Sequence, residues 1–178
     1  MQQLLLLSGP VASGKTAVSA ALQECYGFAP ISSGAFLREQ LASQNKALNR
    51  YALQELGDTL DCVTDFSWLV ESVADPIMSA DANTRYWLVD AVRKARQVEL
   101  FKHRYGGSVR HVHLCAPDPV LRQRHLDQGR DLADYQAILE HPNEQSARSL
   151  AGLADKVFDT QELTPLAIAG EIVTLWEA

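Results

Sequence analysis

Short apolar runs alternate along the chain with longer stretches whose apolar residues recur at helical spacing. The runs predicted as strands cover residues 3–7, 28–31, 85–90, 109–115 and 156–159. A predicted helix separates every pair of consecutive strands, and such crossovers join parallel strands. The pattern therefore predicts an α/β fold, a five-stranded parallel sheet with helices on both faces, in a single domain over residues 1–178.

The loop after the first strand, Gly9-Pro-Val-Ala-Ser-Gly14-Lys15-Thr16, fills every fixed position of the GxxxxGKT phosphate-binding pattern. Its glycines allow consecutive amide N–H groups to turn toward one anion, and the helix that follows adds the positive end of its dipole. The lysine can reach the β and γ phosphates, and the threonine hydroxyl can ligate Mg²⁺. The predicted site for ATP consists of Gly9, Ala12, Ser13, Gly14, Lys15 and Thr16. The expected fold is thus the three-layer sandwich of P-loop NTPases.

The third predicted strand, Arg85-Tyr-Trp-Leu-Val-Asp90, is an apolar run that ends in a carboxylate. A central parallel strand is buried on both faces, and its last residue emerges at the edge where ligands bind. We therefore predict that Asp90 holds Mg²⁺ or its water beside the phosphate loop. Arg93 follows three residues later.

Between the second and third strands the chain has about fifty predicted helical residues, more than one crossover needs. They include helices predicted over 49–63, with an apolar stripe of Tyr51, Leu53, Leu56 and Leu60, and over 66–78. We expect a helical insertion, about residues 33–84, that covers an acceptor. Ser33 is predicted to cap a helix whose first turns carry Arg38, a candidate clamp for a second phosphate or a solvated helix arginine. Arg50 and Gln54 lie four apart and either face the pocket together or form a solvated polar face.

Two clusters after the third strand carry further candidate chemistry. Arg122, Arg124 and Arg130 fall close together, and guanidinium groups bind phosphoryl oxygens in pairs, although a solvated helix face is the alternative. His111 and His113 share one face of a strand, but no third metal ligand is evident, so a partly exposed or packed strand face is favoured over a metal site.

Composition limits the partners and the compartment. The net charge of −6 argues against nucleic-acid polymers and anionic membrane surfaces. The apolar start is interrupted at Ser8 and has no basic region before it, so we expect neither a signal peptide nor a membrane span, but a cytoplasmic protein. Cys25, Cys62 and Cys115 form no CxxC pair and are expected to be small core residues rather than disulfides. The sequence gives no cue to the oligomeric state.

Together these motifs resemble the nucleoside monophosphate kinase group of P-loop proteins. Ile31-Ser-Ser-Gly34-Ala-Phe-Leu-Arg38 is similar to the segment of adenylate kinases that holds the acceptor monophosphate. Asp90-Ala-Val-Arg93 is similar to a segment of deoxynucleotide monophosphate kinases and of archaeal kinases related to dephospho-CoA kinase. The resemblance implies transfer of the γ-phosphoryl group of ATP to a nucleoside or deoxynucleoside monophosphate, a small-molecule acceptor.

The same resemblance implies functions for several residues of the chain. Arg124 and Arg130 fit the arginines that flank a lid, here short and placed at about residues 122–142. With Lys15 and Asp90 they would neutralise the transferring group, while Ser33 and Arg38, with Arg50 or Arg93 and Gln54, would hold the acceptor.

The chain also departs from the family pattern. Ala35 stands where adenylate kinases commonly have aspartate, and Gln128 where a lid arginine is often found. These departures concern the acceptor more than the reaction. The alternatives are a kinase for another acceptor, such as dephospho-CoA or a metabolite alcohol, and a switch or partner subunit that binds ATP without transferring phosphate.

Overall fold

The computed structural model describes residues 2–90 and 92–177. Five strands form one sheet in the order β2-β3-β1-β4-β5, and every neighbouring pair is parallel. Their bounds are Gln3–Ser8 for β1, Ala29–Pro30 for β2, Tyr86–Val89 for β3, Val109–Cys115 for β4 and Lys156–Asp159 for β5. The predicted parallel α/β sheet is confirmed, and each predicted strand end lies within one residue of the observed one.

Helices connect all the strands. Their bounds are Lys15–Tyr26 for α1, Ser33–Ser43 for α2, Arg50–Val63 for α3, Asp75–Ala80 for α4, Ala95–Tyr105 for α5, Asp118–Asp127 for α6, Leu132–Glu140 for α7, Pro142–Ser149 for α8 and Pro165–Thr174 for α9. The helix expected over 66–78 is wrong at its start. Asp65 and Phe66 have left-handed φ angles of 48° and 66°, so the chain turns there and re-enters a helix through a π-helical segment, Leu69–Ala74.

Alternate residues of β1 supply the core on both faces of the sheet. Leu4 and Leu6 pack with Trp87 and Phe101 on one face, whereas Leu5 and Leu7 pack on the other face, against α1 and α9. Successive side chains of a strand point to opposite faces, so an all-apolar strand buries both. The sheet is thus the middle layer of three, as the motif predicts.

The segment between β2 and β3 is buried unevenly, since residues 68–78 supply core side chains and α3 does not. Helix α3 contains no fully buried residue, and Tyr51, expected on its apolar stripe, is 76% exposed. Leu53, Leu56 and Leu60 of the same stripe are half-buried. Within the described residues, no helix is long and apolar enough to cross a membrane.

All three cysteines are free, but the expectation that they belong to the core is wrong for two of them. Cys25 and Cys62 are exposed and Cys115 is half-buried. The buried side of α1 passes through Val18 and Leu22 and then to Tyr26, which leaves Cys25 facing outward. Cys62 lies on α3, which has no fully buried residue.

Candidate active site

The phosphate loop has the backbone that its glycines were expected to provide. Gly9, Ala12 and Gly14 have positive φ angles of 150°, 59° and 91°. A Cβ at Gly9 would lie 2.5 Å from the backbone oxygen of Leu114 in β4, so only glycine fits this close crossing. The loop is therefore held against the sheet by main-chain geometry.

One amide of the loop already binds an anion, which is a side chain of the protein itself. Val11 N–H donates to both carboxylate oxygens of Glu144, at 3.0 Å to Oε1 and 3.2 Å to Oε2. The Glu144 carboxylate thus takes up one donor of the loop, a main-chain N–H of the kind that also binds phosphate oxygens. The Lys15 ammonium turns back onto the loop and donates to the Gly9 and Pro10 carbonyls, at 2.6 and 2.8 Å. This donor set fits the phosphates of a nucleotide.

Lys15 is the most strongly perturbed base of the site. Burial lowers its pKa to about 8, the charge of Arg93 lowers it further, and the charges of Glu144 and Asp90 raise it. Asp90 and Arg93 thus lie near enough to Lys15 for their charges to act on it. Asp90 follows β3 directly and is exposed, as is Thr16 in the first turn of α1. A carboxylate and a hydroxyl are oxygen donors of the kind that Mg²⁺ takes.

A buried polar cluster lies beneath the start of the loop. Ser8 Oγ is 2.7 Å from His111 Nε2 and 2.9 Å from His113 Nδ1, and all three side chains are buried. Burial lowers the pKa of His113 to about 4, and the neighbouring charges of His111 and Lys15 lower it as well. Both histidines are packed residues of the strand, and the described chain contains no group of three or more metal-ligating side chains. Of the partly exposed or packed face that the sequence pattern favours, the packed one is observed.

Arg124 lies beside the phosphate loop, held by Thr160. Its guanidinium donates to Thr160 Oγ1 and to the Thr160 carbonyl, both at 2.8 Å. The Thr160 side chain is in turn 3.7 Å from where a Cβ of Gly14 would lie. Arg122 and Arg130 are exposed, and neither makes a hydrogen bond or ion pair with the described part of the chain. The catalytic roles of Arg124 and Arg130 stay predictions.

The residues expected to hold an acceptor are scattered over the insertion. Arg38 is exposed and donates to the Gly34 carbonyl of its own helix at 3.0 Å. The predicted cap is wrong by one residue, because Ser32 Oγ accepts from Ala35 N–H and Ser33 is the first residue of α2. Arg50 is exposed at the start of α3. The acceptor roles of Ser33, Arg38, Arg50 and Arg93 stay predictions.

Gln54 connects the insertion to the segment after α7. Its Nε2 lies 3.0 Å from Nε2 of His141, the residue between α7 and α8. Gln54 also lines a surface groove of about 520 Å³ along α3, and Arg50 does not. Both side chains are exposed, and whether they share one pocket or form a solvated polar face stays a prediction.

A second cleft of about 380 Å³ lies between α3, the segment after β3 and the start of α8. It is lined by Asp58, Asp61, Cys62, Asp65, Phe66, Lys94 and Asn143. Burial raises the pKa of Asp61, whose Oδ1 accepts from Trp68 Nε1 at 2.7 Å. Two residues that line this cleft, Asn143 and Lys94, stand next to Glu144 and four residues after Asp90 in the sequence, respectively. Its walls carry more carboxylates than bases.

Three residues of the site were not identified from the sequence. They are Lys94, Glu144 and Arg148. Lys94 Nζ donates to Ser146 Oγ at 3.2 Å, while Arg148 pairs with Glu144 at 3.2 Å and with Asp118 at 2.7 Å. Glu144 and Arg148 stand four apart on a helix, a spacing that predicts an ion pair but not the loop that the pair reaches.

The sheet order, the loop and the neighbouring carboxylate define a P-loop nucleotide-binding protein of the α/β class. A family model described as an AAA domain matches residues 8–139, which is most of the chain. The protein therefore belongs to this AAA domain family. No curated protein matched the chain in a sequence comparison.

Solved structures share the fold at low sequence identity. TT1252 from Thermus thermophilus is 16% identical with a TM-score of 0.63, covering 99% of this chain and 97% of that one. Shikimate kinase from Acinetobacter baumannii, in complex with shikimate, is 20% identical with a TM-score of 0.57, covering 98% and 93%. YorR from Bacillus subtilis, in complex with phosphorylated GDP, is 17% identical with a TM-score of 0.57, covering 98% and 96%. These matches confirm the P-loop kinase-like fold that the sequence predicts.

Proposed function

We propose that the protein is an ATP-dependent small-molecule kinase that transfers the γ-phosphoryl group to a nucleoside or deoxynucleoside monophosphate. One observation carries this proposal: the Val11 N–H of the loop donates to Glu144, and the neighbouring residue of α8, Asn143, lines a separate cleft together with Lys94. Phosphoryl transfer needs positioning and charge neutralisation at the meeting point of two sites. A protein that only binds ATP has no use for the second one.

The donor end of this proposal rests on the phosphate loop. Its amides and Lys15 hold the phosphates, and Thr16 and Asp90 hold Mg²⁺. The ion, when bound, neutralises charge on the phosphate oxygens. Arg124, anchored at Thr160, lies on the same side of the sheet edge and contributes positive charge there.

The acceptor end rests on side chains of the insertion and of the segment after β3. Ser33, Arg38 and Arg93 are assigned to the acceptor phosphate, with Arg50 and Gln54 at the outer end of α3. Lys94 adds a cation in the wall of the cleft between α3 and the start of α8, which we assign to the acceptor and call the acceptor cleft. Closure of the insertion over the bound pair would exclude water and suppress hydrolysis of ATP.

The lining of the acceptor cleft favours a second candidate, a kinase whose acceptor is a hydroxylated molecule without a phosphate. Asp58, Asp61 and Asp65 face this cleft with Lys94 as the one base among its lining residues. Carboxylates repel a doubly charged monophosphate, whereas a carboxylate can accept the proton of an attacking hydroxyl. A protein of the same fold is named shikimate kinase and is seen with shikimate bound.

The test is ADP release from Mg·ATP in a coupled assay with a panel of acceptors. The panel contains nucleoside monophosphates, deoxynucleoside monophosphates, dephospho-CoA, shikimate and gluconate. We expect a monophosphate to raise the rate at least tenfold above the rate without acceptor, and Lys15→Ala to abolish the increase. A response to a hydroxylated compound alone would favour the second candidate. Tight ATP binding without any turnover would overturn both and favour an ATP-binding switch.

A further inference from the structure

Glu144 contacts the phosphate loop, and none of the roles assigned above explains this contact. Its carboxylate accepts the Val11 N–H through both oxygens, and its side chain is only 11% exposed. It comes from α8, more than a hundred residues along the chain from the loop. The contact therefore joins the segment that follows the predicted lid directly to the donor site.

An ion pair with Arg148 holds the Glu144 carboxylate in place. Arg148, one turn further along α8, pairs with Glu144 at 3.2 Å and with Asp118 of α6 at 2.7 Å. Arg148 Nη2 is buried and has no hydrogen-bond partner within the described chain. The guanidinium thus holds Glu144 while keeping one donor unused.

A carboxylate and a nucleotide phosphate compete for this position. One N–H cannot serve two anions at about 3 Å, and two like charges in a partly buried site repel each other strongly. A phosphate that accepts from the Val11 N–H must therefore displace Glu144. Displacement removes the contact between α8 and the loop, so binding of the donor is coupled to release of this helix.

We propose that Glu144 is an internal competitor of the nucleotide phosphates, which latches α8 onto the phosphate loop until a donor displaces it. This inference rests on the proposed function, because it takes the loop to be the donor site. It assigns Glu144 a part in setting donor affinity, and it makes α8 the element that moves when the donor binds. The latch closes the loop to weakly bound anions, since an occupant must outcompete a tethered carboxylate.

The first test is the affinity for Mg·ATP, measured by isothermal titration calorimetry without acceptor. Glu144→Gln keeps the shape of the side chain and removes its charge, so we expect binding to tighten about five- to tenfold, within the usual range of coupling between sites. The matched control is Glu140→Gln, the same change at an exposed residue of α7, for which we expect a change of less than twofold. Unchanged or weaker binding by Glu144→Gln would overturn the latch.

The second test does not depend on ATP binding. In the nucleotide-free protein, Glu144→Ala removes the acceptor of the Val11 N–H, so hydrogen exchange at this amide should accelerate at least tenfold, with Glu140→Ala unchanged. Equal exchange in wild type and Glu144→Ala would overturn the latch whatever ATP does. If exchange accelerates as expected but neither wild type nor Glu144→Gln binds ATP, the donor-site assignment fails and the contact between α8 and the loop stands.

Discussion

The donor side and the acceptor side of the candidate site are built in different ways. The phosphate loop is fixed by main-chain geometry, with Gly9 against β4 and buried Ser8 bonded to His111 and His113. The acceptor side consists of exposed helices, in which Arg38 bonds only its own helix. A phosphate is recognised by consecutive amides, whereas an acceptor is recognised by side chains brought from separate elements. The first kind of site is prebuilt, and the second needs its ligand to assemble it.

The largest expected effect is a loss of catalysis when the donor side is changed. Replacing Lys15 with alanine removes the one cation of the phosphate loop, so we expect kcat to fall about a thousandfold or more while the melting temperature stays within a few degrees. Single-turnover kinetics with the best acceptor of the panel measure this loss. A fall below tenfold would show that the loop does not hold the transferring phosphate.

Stability provides a matched pair of substitutions, one on each side. At Gly9, with φ of 150° and a backbone oxygen 2.5 Å from the added Cβ, alanine must displace β4 or the loop. We expect Gly9→Ala to lower the free energy of unfolding by ~2–4 kcal/mol. At Gly57 of α3 the nearest atom is Leu37 Cδ1 at 3.7 Å, so Gly57→Ala should raise it by ~0.5–1 kcal/mol. Urea denaturation measures both changes. Equal effects on the free energy of unfolding would contradict the proposed difference between the fixed donor side and the exposed α3.

The pH dependence of donor binding tests the burial of Lys15. Its pKa of about 8 lies below the usual value, so the free protein loses this charge as the pH rises through 8. Binding then requires reprotonation, and the affinity for Mg·ATP should fall roughly tenfold between pH 7.5 and 9. Lys15→Arg, which stays charged throughout, should flatten the profile. A flat profile in the wild type would mean that Lys15 stays protonated over this range.

The smallest expected effect concerns the exposed acceptor side. Arg38→Ala should lower kcat/KM for the acceptor about fivefold, because an exposed charge contributes on the order of 1 kcal/mol, and should leave ATP affinity within twofold. Arg85→Ala, an exposed arginine at the opposite end of β3, serves as the control. Equal losses for ATP and acceptor would place Arg38 on the donor side.

The sequence predicted the structure of the donor side more completely than that of the acceptor side. Strand ends, the glycine loop and the position of Asp90 follow from local patterns, since a five-residue apolar run or a GxxxxGKT loop carries its structure within itself. The turn at Phe66 and the outward Cys62 depend on how α3 packs against the rest of the chain, which no local pattern contains. Glu144 was missed for the same reason, because its partner Val11 lies in a distant part of the chain.

The central claim is that a phosphoryl group passes from the loop to a small molecule in the neighbouring cleft. Its most direct measurement is incubation of the protein with Mg·ATP labelled with ³²P at the γ position and a mixture of small metabolites, followed by chromatography of the label. The account predicts a labelled organic product that forms with wild type and not with Lys15→Ala. Label recovered only in ATP, in inorganic phosphate or on the protein itself would contradict it.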